Sequence, residues 1–165
     1  MCLFKNICLW RKVFVLSLCL GILSCGSAPV ETGDVRLNFS VSSSVRSSPY
    51  LDDDLLGTVY GGIFHVQDVS VLGPVEGAVS LATVELEGVD LRDAEASVSF
   101  WSGTLDPGSY VFLGFFDVDG NGDESSETNP DNGDPVTLAN TNAFEIDKGG
   151  SSELQVEFNL LYNFD

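Results

Sequence analysis

The chain has 165 residues, with 25 acidic against 7 basic side chains, one histidine and four cysteines, for a net charge of −18. That charge excludes partners held by their phosphates, nucleic acid first among them, because like-signed surfaces repel. All four cysteines fall within the first 25 residues, so the remainder has no disulfide framework, and a single histidine with no cysteine near it excludes an ordinary zinc site.

Residues 1–12 hold Lys5, Arg11 and Lys12 and no acid, and 13–23 is apolar apart from Ser17 and Gly21. A positive segment followed by a short apolar run has the form of an export signal, and the run is too short to span a bilayer. The stretch Ile22-Leu23-Ser24-Cys25-Gly26 resembles the lipobox of bacterial lipoproteins, with an aliphatic residue three positions before the cysteine and a small one directly before it. Leu23 is bulkier than that pattern usually carries. The resemblance implies a signal peptide at 1–24, cleavage before Cys25, and a diacylglyceryl and palmitate-type anchor on Cys25, which makes the membrane a partner. Two or more acyl chains hold a protein stably where one does not. Gly26 in place of an aspartate implies the outer rather than the inner membrane of the cell envelope. Residues 25–34 then form the lipidated N-terminus and a small, polar tether, and 35–165 form one domain with its own core.

Within that domain, 35–41 alternates apolar and polar residues as a half-buried strand does. Residues 42–56 are serine-rich and then aspartate-rich, and read as a loop. Further strands are expected at 57–66, at 78–86 and, shorter, at 97–101, while 89–96 holds a helical turn at most. Residues 110–118 are apolar on both faces, which predicts a central strand. A short strand at 143–146 precedes 153–161, where Leu154, Val156, Phe158 and Leu160 share one face. About seven strands between Gly, Pro and Asp turns, with no amphipathic helix, predict an all-β fold, an antiparallel β-sandwich. Phe112, Phe115 and Phe116 read as core. Trp101 also reads as core from its apolar neighbours Val98 and Phe100, although alternation sets it on the face opposite to both.

The strand at 110–118 runs into Asp117-Val118-Asp119-Gly120-Asn121-Gly122-Asp123-Glu124. Oxygen donors at alternate positions let a tight turn aim several side chains at one centre, and Gly120 and Gly122 permit the backbone angles. Ca2+ takes roughly six to eight such oxygens, whereas Mg2+ demands a small octahedron and keeps its waters. The expected ligands are Asp117, Asp119, Asn121, Asp123 and Glu127, with Glu124, Asp131 and Asp134 in reserve. Seven acids lie within 117–134, and no Lys or Arg occurs from Asp93 to Asp147. The spacing opens like an EF-hand loop, but the twelfth position is Thr128 and the flanks are not helical. A solvated acidic hairpin tip is the plain alternative.

The stretch Asp106-Pro107-Gly108-Ser109-Tyr110-Val111-Phe112, leading into Asp117-Val118-Asp119-Gly120-Asn121-Gly122, is similar to a strand and DxDxNG loop of prealbumin-like (transthyretin-like or carboxypeptidase-regulatory-like) β-sandwich modules. Gly73-Pro74-Val75-Glu76-Gly77-Ala78-Val79 resembles another strand start of the same modules, with one glycine displaced. The resemblance covers 73–135 and implies a prealbumin-like or Ig-like sandwich serving as a stalk, spacer or binding unit. The expectation is a non-enzymatic, lipid-anchored envelope protein with a structural Ca2+ loop, whose partner is an envelope protein or a polysaccharide. The alternative is a carbohydrate-binding module using Trp101, Tyr50, Tyr60 and Tyr162. A hydrolase ranks last: His65 and Asp68 have no nucleophile elbow to serve.

Overall fold

The computed structural model describes residues 30–51, 54–71, 73–122 and 129–163. In chain order the strands are β1 (Asp34–Val41), β2 (Leu56–His65), β3 (Val69–Ser70), β4 (Gly73–Pro74), β5 (Ala82–Asp90), β6 (Val98–Trp101), β7 (Gly108–Asp117), β8 (Pro135–Val136), β9 (Ala143–Ile146), β10 (Ser151–Phe158) and β11 (Leu160–Leu161), with one helical turn α1 (Ser43–Arg46). The fold is all-β, as the alternation predicts, and consistent with a β-sandwich. A smaller sheet has the order β10-β1-β6, and a larger one runs β11-β8-β7-β2-β5, with β9 also paired to β7. β3 and β4 form a separate hairpin.

Period-two alternation builds the core from both sheets. Val35, Leu37 and Phe39 of β1 are fully buried, as are Val156 and Phe158 of β10, and they belong to one cluster with Val59, Ile63, Val84, Tyr110, Phe112 and Phe116 of the larger sheet. Phe39 meets Phe112 edge-on at 5.3 Å between centroids, and Phe116 stacks on Phe158 at 5.9 Å. These aromatic pairs join the layers and add to the area they bury. Gly61 and Gly114 are cross-strand partners beneath the Phe112 ring. A Cβ on either would come within 2.6 Å of that ring, so the pair makes room for it.

Several expectations need correction. β1 and β10 pair in parallel, Asp34 beside Ser151 through Val41 beside Phe158, so the smaller sheet is not purely antiparallel. β5 begins at Ala82 rather than 78 and continues to Asp90, which takes in the first residues of the expected helical turn. The 42–56 loop contains α1, where Ser42 Oγ accepts from the Val45 N–H and Val45 is buried. Trp101 is 56% exposed: β6 is an edge strand, Val98 and Phe100 face inward, and Trp101 turns out to lie under the Arg36 guanidinium at 5.9 Å. Leu160 is 49% exposed because β10 ends at Phe158 and the chain crosses to β8, the Asn159 N–H donating to Val136 O. Phe115 is buried but on the opposite face from Phe112 and Phe116, outside the main core. The central place of β7, between β2 on one side and β8 and β9 on the other, agrees with its apolar faces.

Candidate metal centre

β7 delivers Asp117 to the end of the larger sheet, opposite Thr58. The chain then turns tightly through 118–122, with Gly120 at φ +78°, a conformation that favours glycine. Asp117 is 2% exposed and organises this turn. Its Oδ1 accepts from the N–H groups of Gly120 at 2.8 Å and Asn121 at 3.3 Å, and its Oδ2 accepts from the Gly122 N–H at 3.0 Å. Gly122 is confined between Asp117 and Tyr60: a Cβ there would lie 2.9 Å from Asp117 Oδ2 and 3.2 Å from the Tyr60 ring.

The return limb brings a second buried carboxylate. Asp134 is 1% exposed, next to the start of β8. Its Oδ1 accepts from the Val118 N–H at 3.3 Å and its Oδ2 from the Asp131 N–H at 3.0 Å. The Tyr162 N–H donates to Asp134 O and the Gly133 N–H to Tyr162 O, which fastens this limb to the end of the chain's last strand. Asp117, Asp119 and Asp134 each present a carboxylate oxygen within 4.8 Å of the others. Asp131 joins from the side. Its Oδ2 accepts from Asn121 Nδ2 at 2.6 Å, while its Oδ1 is buried with no hydrogen-bond partner among the described residues.

The electrostatics follow from this crowding. Unit charges 4–5 Å apart near a protein surface repel by roughly 3–4 kcal/mol. The one ion pair among the described residues, Arg92 with Asp90, uses neither Asp117, Asp119 nor Asp134. Burial, with the charges of Asp131 and Asp117 beside it, therefore pushes the Asp134 carboxyl up to about 7 against two backbone hydrogen bonds that favour its charged form. Burial and the Asp131 charge also raise Asp119. A proton relieves part of this repulsion, a divalent cation would offset more of it, and the three carboxylates are close enough together to hold a metal ion.

Of the residues expected from sequence to ligate, Asp117, Asp119 and Asn121 converge here, and so do the reserves Asp131 and Asp134. Asp123, Glu124 and Glu127 lie outside the described residues, as do Cys25 and the 1–24 segment. Asn121 turns its amide Nδ2 toward Asp119, at 2.8 Å, and toward Asp131. Amide O and N are distinguished by their partners, and exchanging them would present Oδ1 to a cation at the same point. Asp134 lies 17 positions after Asp117, and sequence carries no signal for their convergence beyond the richness of the stretch in Asp, Asn and Gly. His65 is taken up in stacking on Tyr110 at 5.1 Å. Comparison with protein-family models, curated proteins and solved structures finds no match to this chain. No described helix is long and apolar enough to cross a membrane.

Proposed function

We propose that the chain is a non-enzymatic, lipid-anchored module of the cell envelope whose acidic corner holds a structural Ca2+. The observation that carries the metal is the approach of Asp117, Asp119 and Asp134 oxygens to within 4.8 Å of one another, two of these carboxylates being almost fully buried, beside an Asp131 Oδ1 that is buried with no hydrogen-bond partner among the described residues. A buried acceptor left unsatisfied costs roughly 1–3 kcal/mol, and a hard cation bound by oxygens would satisfy it. Carboxylates, an amide oxygen and waters suit Ca2+ better than Mg2+. A structural role is favoured over acid–base catalysis because Asp117 and Asp134 are turned into backbone N–H groups and closed to a substrate.

The anchor is supported by the lipobox-like segment ending at Cys25. Gly33 bridges to Leu105 and crowds Ile146, which pairs with Gly108 at the start of β7. The acidic cluster stands at the other end of β7, about 30 Å along a strand of that length. The negative corner would then point away from a lipid surface below the tether.

A thermal melt of the purified full-length protein in Ca2+, Mg2+ or EGTA tests the metal. We expect a Ca2+-specific rise of about 3–5 °C, from roughly 1.4 kcal/mol at ten times Kd. Identical melts in the three buffers reject the cation. For the anchor, Cys25→Ser should abolish incorporation of a labelled fatty acid in cells; persistent labelling places the lipid elsewhere or nowhere in this segment.

A further inference from the structure

The face of the larger sheet turned away from the core is an aromatic surface. Strand register sets its rows. Glu85, Tyr60, Phe115 and Val136 lie side by side across β5, β2, β7 and β8. Thr83, Gly62 and Leu113 form the next row, and Phe64 and Val111 lie in the one beyond. Their strand neighbours Val59, Ile63, Phe112 and Phe116 fill the core, so alternation places these rows outside. The Tyr60 ring is backed by Phe115 at 5.5 Å between centroids. Phe64 lies down over Gly62, where a Cβ would come within 3.0 Å of its ring and 2.6 Å of Ser80 Oγ. The β3–β4 hairpin, the 137–139 segment and the Tyr162 ring help to raise this floor into an open groove of about 750 Å3. Small-ligand sites occupy roughly 300–1,000 Å3.

We propose that this groove binds a neutral carbohydrate, a short run of sugar rings. Three features select the class. Glu85 is the one charged side chain among the described lining residues, so an anionic ligand meets only repulsion, from it and from the net charge of −18. Tyr60 and Phe64 supply ring faces whose negative quadrupole suits the electropositive C–H face of a sugar. Glu85 and Thr83, both exposed at the rim, offer hydroxyl partners, the carboxylate by charge-assisted bonds. An acyl chain is served better by an enclosed cavity than by an open groove of this kind. None of the cluster's carboxylates line the groove, although Tyr60 and Tyr162 border both: Gly122 of the acidic turn packs on the Tyr60 ring, and the Tyr162 N–H donates to Asp134 O.

Affinity electrophoresis of the purified full-length protein tests the assignment. The gels carry a β-glucan, a xylan, a mannan or an α-glucan, with a sulfated polysaccharide as the charged control. Retardation is expected in at least one neutral gel and not in the sulfated one. Tyr60→Ala and Glu85→Gln should each weaken that interaction about tenfold, the effect of removing one anchoring contact. Trp101→Ala, on the other sheet, should leave it unchanged. Circular dichroism checks the Tyr60→Ala fold, and the exposed Glu85→Gln tests the groove even if that variant is damaged. Free migration in every neutral gel overturns the proposal, as does retardation that both groove variants retain in full. Displaceable binding of a fluorescent alkyl probe, lost in Tyr60→Ala and unaccompanied by any retardation, makes the groove a lipid site instead.

Discussion

Asp117→Ala should lower the melting temperature by roughly 10 °C and erase its response to Ca2+. Three backbone N–H groups depend on this carboxylate, those of Gly120, Asn121 and Gly122. Truncation removes all three bonds, that of Gly122 buried and the other two part-buried, at about 1 kcal/mol each. For a domain of this size 1 kcal/mol shifts the midpoint by roughly 2–4 °C. One effect opposes the loss: Asp119 and Asp134 no longer face a third charge. It is the smaller effect, because Asp119 is exposed, where water and salt screen its charge, and Asp134, with its carboxyl held up to about 7, already carries a proton much of the time near neutrality. Asp117→Asn separates scaffold from ligand. Its single side-chain oxygen retains part of the turn while the charge is gone, so it should keep more metal-free stability than the alanine variant yet lose the Ca2+ shift. A full Ca2+ shift in Asp117→Asn would move the cation elsewhere.

How much of this was legible in advance depends on the range of each interaction. β1 follows from local alternation, because a half-buried strand states its own faces, and β7 from a run apolar on both faces, which marks a central strand. The parallel pairing of β1 with β10 has no local signature: it joins Asp34 to Ser151 across most of the domain. Trp101 shows the same limit, since its apolar neighbours suggested burial while its parity placed it outward, and parity won on an edge strand, where only the Arg36 guanidinium among the described residues is seen over its ring. Leu160 failed in reverse, its parity correct only until the chain left β10 at Asn159. Asp117, Asp119 and Asn121 were legible as a turn because the turn is local. Asp134 was legible only as a reserve, since its role comes from a hydrogen bond to Val118 that tertiary closure creates. The groove was hidden for a related reason: Phe115 reads as core in a strand apolar on both faces, and only the register with Tyr60 and Glu85 shows that one of those faces is a surface.

In EGTA the protein should lose stability as pH rises from about 4 to about 7, the reverse of ordinary acid denaturation over that range. Asp134 has an ordinary value of 3.8 and is held at about 7 in the fold. Between those values the folded state keeps a proton that the unfolded chain has released, so rising pH favours unfolding. The slope approaches 1.4 kcal/mol per pH unit where that difference is complete. The contribution is fully present below pH 4 and is lost as pH passes through 7. Asp119, also raised, adds to it with the same sign. Asp90 works in the opposite sense, its carboxyl held at about 2 by hydrogen bonds from Arg92, but its window closes near 4 and the pair is on the surface. A cation and a proton compete for the same oxygens, so saturating Ca2+ should flatten the slope, and the Ca2+-induced rise in melting temperature should grow from pH 5 to pH 8. Urea melts at pH 4.5, 6 and 7.5, with EGTA or CaCl2, measure both. Asp134→Asn should flatten the EGTA series and shrink the Ca2+ effect together, because one carboxyl holds the proton and offers the ligand. An undiminished slope in that variant would assign the proton to another group and remove Asp134 from the site.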